Sequence, residues 1–345
     1  MSIIMPEIKH SFFPRPADSP RLRQVIGVGS LIVDLIAEVD DAFIADIGRQ
    51  KGGMELVDAA TLDDIMARVP QSPTIAPGGS AANTVQGLAR LGVSTAFLGK
   101  LGTDDNGEFY SNAFDSAGVD TSRFRRTGDL PTGRCLSLVT PDSERTLCTD
   151  LGASGALVPA EVSADDFHDC DYVHIEGYLL FNRDLTLAVL DATKEAGAIV
   201  GLDLASFEVV RANADVLEDL LRDYVDVVYA NEDEAEAFCD VSNPDECLGA
   251  LAQHCDVAVL KLGADGARIQ SDGDVTIVPA QPAVAVDTTG AGDLWAAGFL
   301  YGCMQGMDAS GAGRCGAVTG GEVVQVFGAS LGDEVWQNIQ STIQE

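Results

Sequence analysis

From residue 170 onward, short apolar runs recur at regular intervals: Tyr172-Val173-His174-Ile175, Ile199-Val200-Gly201-Leu202, Val225-Asp226-Val227-Val228-Tyr229 and Val257-Ala258-Val259-Leu260. Runs this short and this continuously apolar read as strands buried on both faces. Stretches of helical length separate them, around residues 184–195, 213–222 and 244–254. Strands that alternate with helices run parallel, because each helix returns the chain to the same end of the sheet. The spacing therefore predicts an α/β chain with a doubly wound, mainly parallel sheet. No repeat or low-complexity tract interrupts it, so a single main domain is expected. In such sheets ligands bind beyond the carboxyl ends of the strands, so the residues that follow each run carry the functional information.

The chain has 345 residues, of which 46% are hydrophobic, ample for a buried core. Its 21 Lys and Arg against 54 Asp and Glu give a net charge of −33. A surface so acidic repels nucleic acid and anionic membranes, which excludes both as partners, and suits a solvated shell in a salty cytoplasm. Eight cysteines form no Cys-x-x-Cys pair and only four histidines could join them, so no zinc site is expected. The cysteines read as reduced cytoplasmic residues. Residues 1–23 carry Pro6, Pro14, Pro16 and Pro20 and no unbroken apolar run, and read as an extension rather than a signal or anchor. The longest apolar candidate, Leu294 to Met304, is 11 residues, too short to span a membrane.

The stretch richest in chemistry is Asp287-Thr288-Thr289-Gly290-Ala291-Gly292-Asp293, leading into the helical-looking Leu294-Trp295-Ala296-Ala297-Gly298-Phe299-Leu300. Small residues at 290–292 allow a tight turn whose N–H groups face outward at a helix start. The helix dipole adds about half a positive charge there, which makes an anion-binding nest. Asp293 beside that nest is either an N-cap or a base that takes a proton from an attacking hydroxyl, as phosphoryl transfer to an alcohol requires. There is no Gly-x-x-x-x-Gly-Lys-[Ser/Thr] segment, which excludes a P-loop kinase. Gly311-Ala312-Gly313-Arg314-Cys315-Gly316 fits Gly-x-Gly-x-x-Gly, but no strand precedes it closely, and it reads as close helix packing.

Two further segments join this one. Pro77-Gly78-Gly79-Ser80-Ala81-Ala82-Asn83-Thr84 opens an amphipathic stretch ending at Gly92, and Asn231-Glu232-Asp233-Glu234 follows the run at 225–229. Together the three segments resemble the motifs of the PfkB, or ribokinase-like, family of small-molecule kinases over roughly residues 24–330, with a pattern most similar to adenosine kinases. The resemblance implies a three-layer α/β/α domain over 24–345 with a small β-sheet lid, its segments near 32–62 and 120–150. It implies that Asp293 is the catalytic base, that the amides of Gly290, Ala291 and Gly292 form the hole for the transferred phosphoryl group, and that Arg145 closes over it, if Arg145 is not simply an exposed strand residue. Asp34, Ser30, Gly78, Gly79, Ser80 and Asn83 are the implied substrate contacts, Ser30 standing where the family usually has Asn.

On the nucleotide side the resemblance implies Asn231, Glu234, Lys261, Gly263 and Gly266. Lys261 either touches a phosphate or caps its turn. ATP and Mg2+ are the implied cofactors, with Glu234 reaching the magnesium through water and Asp287 and Thr289 near a site for a monovalent cation, K+. The reaction expected is ATP-dependent phosphorylation of a primary hydroxyl, adenosine to its 5′-monophosphate, by a cytoplasmic monomer or homodimer. Tyr178 and the lid residues Met54, Leu56 and Leu136 are candidates for a wall against the base, or else core. A sugar kinase acting on fructose, ribose or a sugar acid is the alternative, and a non-catalytic nucleotide or sugar sensor is a second.

Overall fold

The computed structural model describes residues 12–14 and 23–344. Nine strands form one sheet in the spatial order Asp274–Val278, Ala267–Ser271, Val257–Lys261, Val227–Asn231, Ile199–Asp203, Tyr172–Glu176, Gln24–Val28, Ser94–Gly102 and Phe124–Thr127. The strands from Val257–Lys261 to Phe124–Thr127 pair in parallel, and only Ala267–Ser271 and Asp274–Val278 run antiparallel at one edge. All four predicted runs are present as parallel strands. The run at 225–229 is shifted to Val227–Asn231, because Val225 still closes the preceding helix Leu217–Tyr224. The chain leaves Gln24–Val28 toward Ser94–Gly102 on one side and later returns to Tyr172–Glu176 on the other, so the strand order reverses at this point.

Side chains alternate between two cores, as period-2 geometry requires. Val173, Ile175, Val200, Leu202, Val228 and Ala230 face the helices Arg183–Ala196, Leu217–Tyr224 and Pro244–Leu251. Tyr172, Ile199, Val227, Tyr229, Val257 and Val259 face the helices Ala291–Met304 and Ala309–Val323. Phe13, from the N-terminal extension, packs on this second face with its ring 5.9 Å from Tyr172 and 6.0 Å from Phe299. Most of that extension lies outside the described residues.

A second sheet has five strands in the order Met54–Leu56, Arg145–Gly152, Thr132–Val139, Ile32–Glu38 and Thr74–Gly78. The hairpin read at 131–148 lies within it. Two stretches depart from the sequence reading. Thr74–Gly78 is an extra edge strand, a position where Pro77 is tolerated because it needs no donor on its free side. Phe124–Thr127, inside the expected lid segment, pairs instead with Gly99–Gly102 of the large sheet. The stretch between 39 and 57 is partly helical, Asp41–Asp46, because Asp40 caps it by accepting from Phe43 N.

The small sheet packs Val33, Leu35, Leu136 and Leu138 onto its own core and turns the alternate residues outward. Leu136 is therefore core and not a cleft residue. Its register partner Leu35 is core as well, while Asp34 and Cys135, one position earlier, share the opposite face.

The Gly-x-Gly-x-x-Gly segment lies inside the helix Ala309–Val323 and serves close packing. A Cβ on Gly298 of the facing helix would lie 2.3 Å from Thr319 Oγ1 and 2.4 Å from Cys315 O. Replacing Gly298 by Val should therefore cost about 1–3 kcal/mol through overpacking, read as a lower urea midpoint with the slope unchanged.

Candidate active site

Strands of the large sheet deliver their last residues to one cleft. Glu176, Asp203, Asn231 and Lys261 end their strands, Ser30 follows the first strand, and all five line a cavity of about 980 Å³. This is the carboxyl edge of the sheet at the point where strand order reverses.

Asp293 stands near the middle of the cleft. The helix Ala291–Met304 is capped by Gly290 in left-handed backbone, φ 73°, and a Cβ there would lie 2.6 Å from Ala329 Cβ. Asp293 is thus not the cap. Its carboxylate accepts from Ser80 Oγ at 2.8 Å and from Asn83 Nδ2 at 2.9 Å. Burial raises its pKa to about 6, Asn83 pulling the other way and Asp203 adding to the rise. Of the three amides expected to form the hole, Ala291 N–H is drawn to Thr288 O at 3.2 Å. Gly290 and Gly292 keep theirs free of backbone acceptors among the described residues.

The expected hydroxyl readers stand beside Asp293. Asp34 lines the cleft from the small sheet, and a Cβ on Gly78 would fall 2.1 Å from its Oδ1. Burial pushes the Asp34 carboxyl up to about 7 against the opposing charge of Arg145, which lines the same cleft. Gly79, at φ 101°, leaves room for Ser30 O, which would be 2.2 Å from any Cβ. Ser30 is turned toward Glu176, its N–H donating to Glu176 Oε1 at 2.7 Å. Tyr178 lines the cleft with its hydroxyl donating to Ala205 O at 3.3 Å.

On the other side, Asn231 and Glu234 close a reciprocal cap. Glu234 N donates to Asn231 Oδ1, while Asn231 N and Nδ2 donate to the two Glu234 oxygens, all at 2.8–2.9 Å. Burial pushes the Glu234 carboxyl up to about 8. Lys261 does not cap its turn, which Leu262 N closes by donating to Gly266 O at 2.8 Å. Its ammonium pairs with Asp203 Oδ2 at 2.7 Å. Gly263 (φ 52°) and Gly266 (φ 88°) shape the loop beside it and line the cleft. Asp287 is fully buried, its Oδ1 accepting from Thr289 N and Oγ1 and its Oδ2 from Gly328 N at 2.8 Å. That carboxylate pins the loop before the helix.

Two buried carboxylates of the cleft were not among the sequence candidates. Glu176, beyond Ser30, also accepts from Ala81 N at 3.4 Å, tying the first loop to the helix Ser80–Arg90. Asp203 ends the run at 199–202, and the strand-end rule that singled out Asn231 points to it equally.

The family model described as pfkB family carbohydrate kinase matches residues 54–336. The chain belongs to this family. As a pfkB-family kinase it is a phosphotransferase that uses ATP and acts on an alcohol group. It is 30% identical over 310 residues to an adenosine kinase of Saccharomyces cerevisiae, covering 82% of this chain and 89% of that one. It is 33% identical over 254 residues to an ATP-dependent ribose-1-phosphate kinase of Halopiger xanaduensis, covering 71% and 80%. Among solved structures, the adenosine kinase from Sinorhizobium meliloti superposes with a TM-score of 0.87 at 30% identity, covering 93% of this kinase and 99% of that chain. The expected fold and reaction class are borne out, and these relatives differ in the acceptor they name.

A base must be ionised to accept a proton, so kcat/KM of the kinase should fall as pH drops through about 6, the raised pKa of Asp293. Asp293→Asn should keep ATP binding, lower kcat at least about a hundredfold and abolish that acid limb. Coupled ADP-release assays across pH read both, and unchanged turnover in the variant removes Asp293 from the role.

Proposed function

We propose that this kinase transfers the γ-phosphoryl group of ATP to the 5′-hydroxyl of a purine nucleoside, adenosine, yielding the 5′-monophosphate. The observation that carries this reading is the composition of the cleft wall beside the hydroxyl readers. Ile32, Leu147 and Leu151 of the small sheet, Met54 and Leu56 of its outer strand, and Tyr178 and Phe181 all line the same cavity as Asp34 and Asn83. A nucleoside offers a diol to the polar pair and a flat apolar face to the rest. A free sugar would leave that wall uncovered.

Charge narrows the acceptor further. The cleft is lined by seven carboxylates, at Asp34, Glu176, Asp203, Glu232, Asp233, Glu234 and Asp293, and by two cations, Arg145 and Lys261. Asp293, ionised above about 6, would repel an anionic group placed beside the hydroxyl readers, which supports a neutral acceptor over a sugar acid or sugar phosphate.

In this reading Asp34 and Asn83 hold the ribose, and Asp293 takes the proton of the hydroxyl as it attacks. The free amides of Gly290 and Gly292, with Arg145, stabilise the transferring phosphoryl group. Mg2+ bound to ATP would neutralise phosphate charge. Among the described residues no group of three His, Cys, Asp or Glu side chains could hold an ion, and both Glu234 oxygens are engaged. This suits an ion carried by phosphates and water, with Glu234 reached through water. A monovalent cation fits less well at Asp287 and Thr289, whose polar side-chain atoms are already bonded to each other and to Gly328, and no step is assigned to it. Asp293 bonded in place beside free amides favours catalysis over a sensor role. A kinase for ribose or fructose using the same hydroxyl readers is the second reading, suggested by relatives named ribokinase and fructokinase.

In a panel of nucleosides and sugars read by ADP release, adenosine should exceed ribose, fructose, ribose 1-phosphate and sugar acids in kcat/KM by at least about tenfold. A sugar that outperforms adenosine overturns the nucleoside reading. Arg145→Ala should lower kcat/KM by about ten- to a thousandfold, as expected for one donor to developing charge. A change in thermal midpoint alone would make Arg145 a structural strand residue.

A further inference from the structure

We propose that Cys239 and Cys247 form a reversible oxidation site, two thiols that close to a disulfide and staple the helix Glu232–Cys239 to the helix Pro244–Leu251. The first observation is proximity. The two Sγ atoms stand 2.8 Å apart, and both belong to free thiols. A disulfide bond is about 2.0 Å long, so less than about 1 Å of side-chain motion closes it.

The second observation is that the backbone sets this approach. Cys239 is the last residue of its helix, which ends on Asp240 in left-handed backbone, φ 57°. That conformation is uncommon outside glycine and turns the chain sharply away from the helix axis. Asn243 then caps the next helix, its Oδ1 accepting from Asp245 N at 2.9 Å and from Glu246 N at 3.2 Å, while Cys247 N donates to Asn243 O at 2.9 Å. Between the two helices, Val241 O accepts from Cys247 Sγ at 2.9 Å and lies 3.6 Å from Cys239 Sγ. The turn and the cap deliver both sulfurs to one point.

The third observation is access. Cys239 is part-exposed and Cys247 is buried. Burial, the contact with Cys239 and the charges of Glu236 and Glu246 push the Cys247 thiol up to about 12. An oxidant therefore meets Cys239 first, and Cys247 resolves the adduct. With a small disulfide, oxidised glutathione, as the oxidant, the Cys239 thiolate attacks one of its sulfurs, the S–S bond breaks, and the first thiolate leaves and takes up the proton that Cys239 lost. Cys247 then attacks Cys239 Sγ and passes its proton to the second departing thiolate. Two protein thiols are oxidised to one disulfide, and one small disulfide is reduced to two thiols. The staple holds the far end of the helix whose first turn brings Glu234 to the cleft. Because the sulfurs are already in place, closure leaves that first turn where it is.

The test treats the full chain with oxidised glutathione and then digests it after Asp and Glu, since Asp240, Asp245 and Glu246 separate the two cysteines. Mass spectrometry should find a cross-link between Cys239 and Cys247 that dithiothreitol reverses. The oxidised parent should unfold at least about 3 °C above the reduced one, because the closed loop restrains the unfolded chain. With adenosine as acceptor, kcat from ADP release should stay within about twofold of the reduced enzyme, as expected if the cleft is undisturbed. Cys239→Ser, at the part-exposed position, should show neither the cross-link nor the shift in midpoint. Cys247→Ala should retain glutathione on Cys239, because no resolving thiol remains; if that variant does not fold, Cys239→Ser against the parent decides. A parent that keeps both thiols, holds glutathione on Cys239 or cross-links either residue to Cys255 overturns the inference. So does an oxidised parent with an unchanged midpoint or a larger loss of kcat. The cross-link and the midpoint need no acceptor, so their outcome is separate from that of the nucleoside reading.

Discussion

The Asp293 carboxylate, shared between Ser80 Oγ and Asn83 Nδ2, is the interaction on which the cleft depends. It joins the amino ends of two helices, Ser80–Arg90 and Ala291–Met304, which come from opposite ends of the chain. Thr84 Oγ1 adds a bond to Asp293 O at 3.1 Å, so side chain and backbone are both tied. Two helix starts held together present their unpaired N–H groups and dipoles to one volume, where negative charge is stabilised. In the proposed reading the base is thus oriented by Ser80 and Asn83, the residues assigned to the acceptor.

Around this junction the protein buries carboxyls that water would otherwise keep ionised. Burial raises Asp34 and Glu176 to about 7, Glu234 to about 8 and Asp293 to about 6. A carboxyl whose folded pKa lies above its unfolded value favours the folded state at low pH, and that contribution is lost as pH rises through the folded pKa. The site is therefore held together at some cost near neutrality, offset by the two cores that flank the sheet. Lys261 and Arg145 oppose part of this field, each placed against the carboxyl it compensates.

Much of this was legible because it is written in local patterns. Buried strands, the helix that begins after Gly290, and the Asn231 to Glu234 segment all show in short runs of sequence. What was not legible depended on partners far away. Glu176 and Asp203 are single carboxylates at strand ends, and their importance comes from Ser30 and Lys261, 146 and 58 residues distant. Thr74–Gly78 was hidden because Pro77 argues against a strand unless the strand is at an edge. Leu136 was left open between wall and core, because a shift of one residue in a sheet moves a side chain from one face to the other.

That one-residue sensitivity also explains why family membership leaves the acceptor open. The base, the nest and the nucleotide side are built from strand ends and helix starts of the large sheet, whose geometry the parallel topology imposes. The proposed acceptor pocket is built from the outward face of the small sheet, where Ile32, Asp34, Cys135, Leu147 and Leu151 alternate with core residues. The inward residues must satisfy packing, whereas of the outward ones Ile36, Ala76 and Val139 cluster together and Ile32, Asp34, Leu147 and Leu151 line the cleft. The cleft-lining ones can change from an apolar wall to a polar one at less cost to the fold than the inward ones. In the proposed reading the chemistry of the reaction is therefore carried by strand ends and helix starts that the topology fixes, and the choice of acceptor by cleft-lining residues of the small sheet that it fixes less.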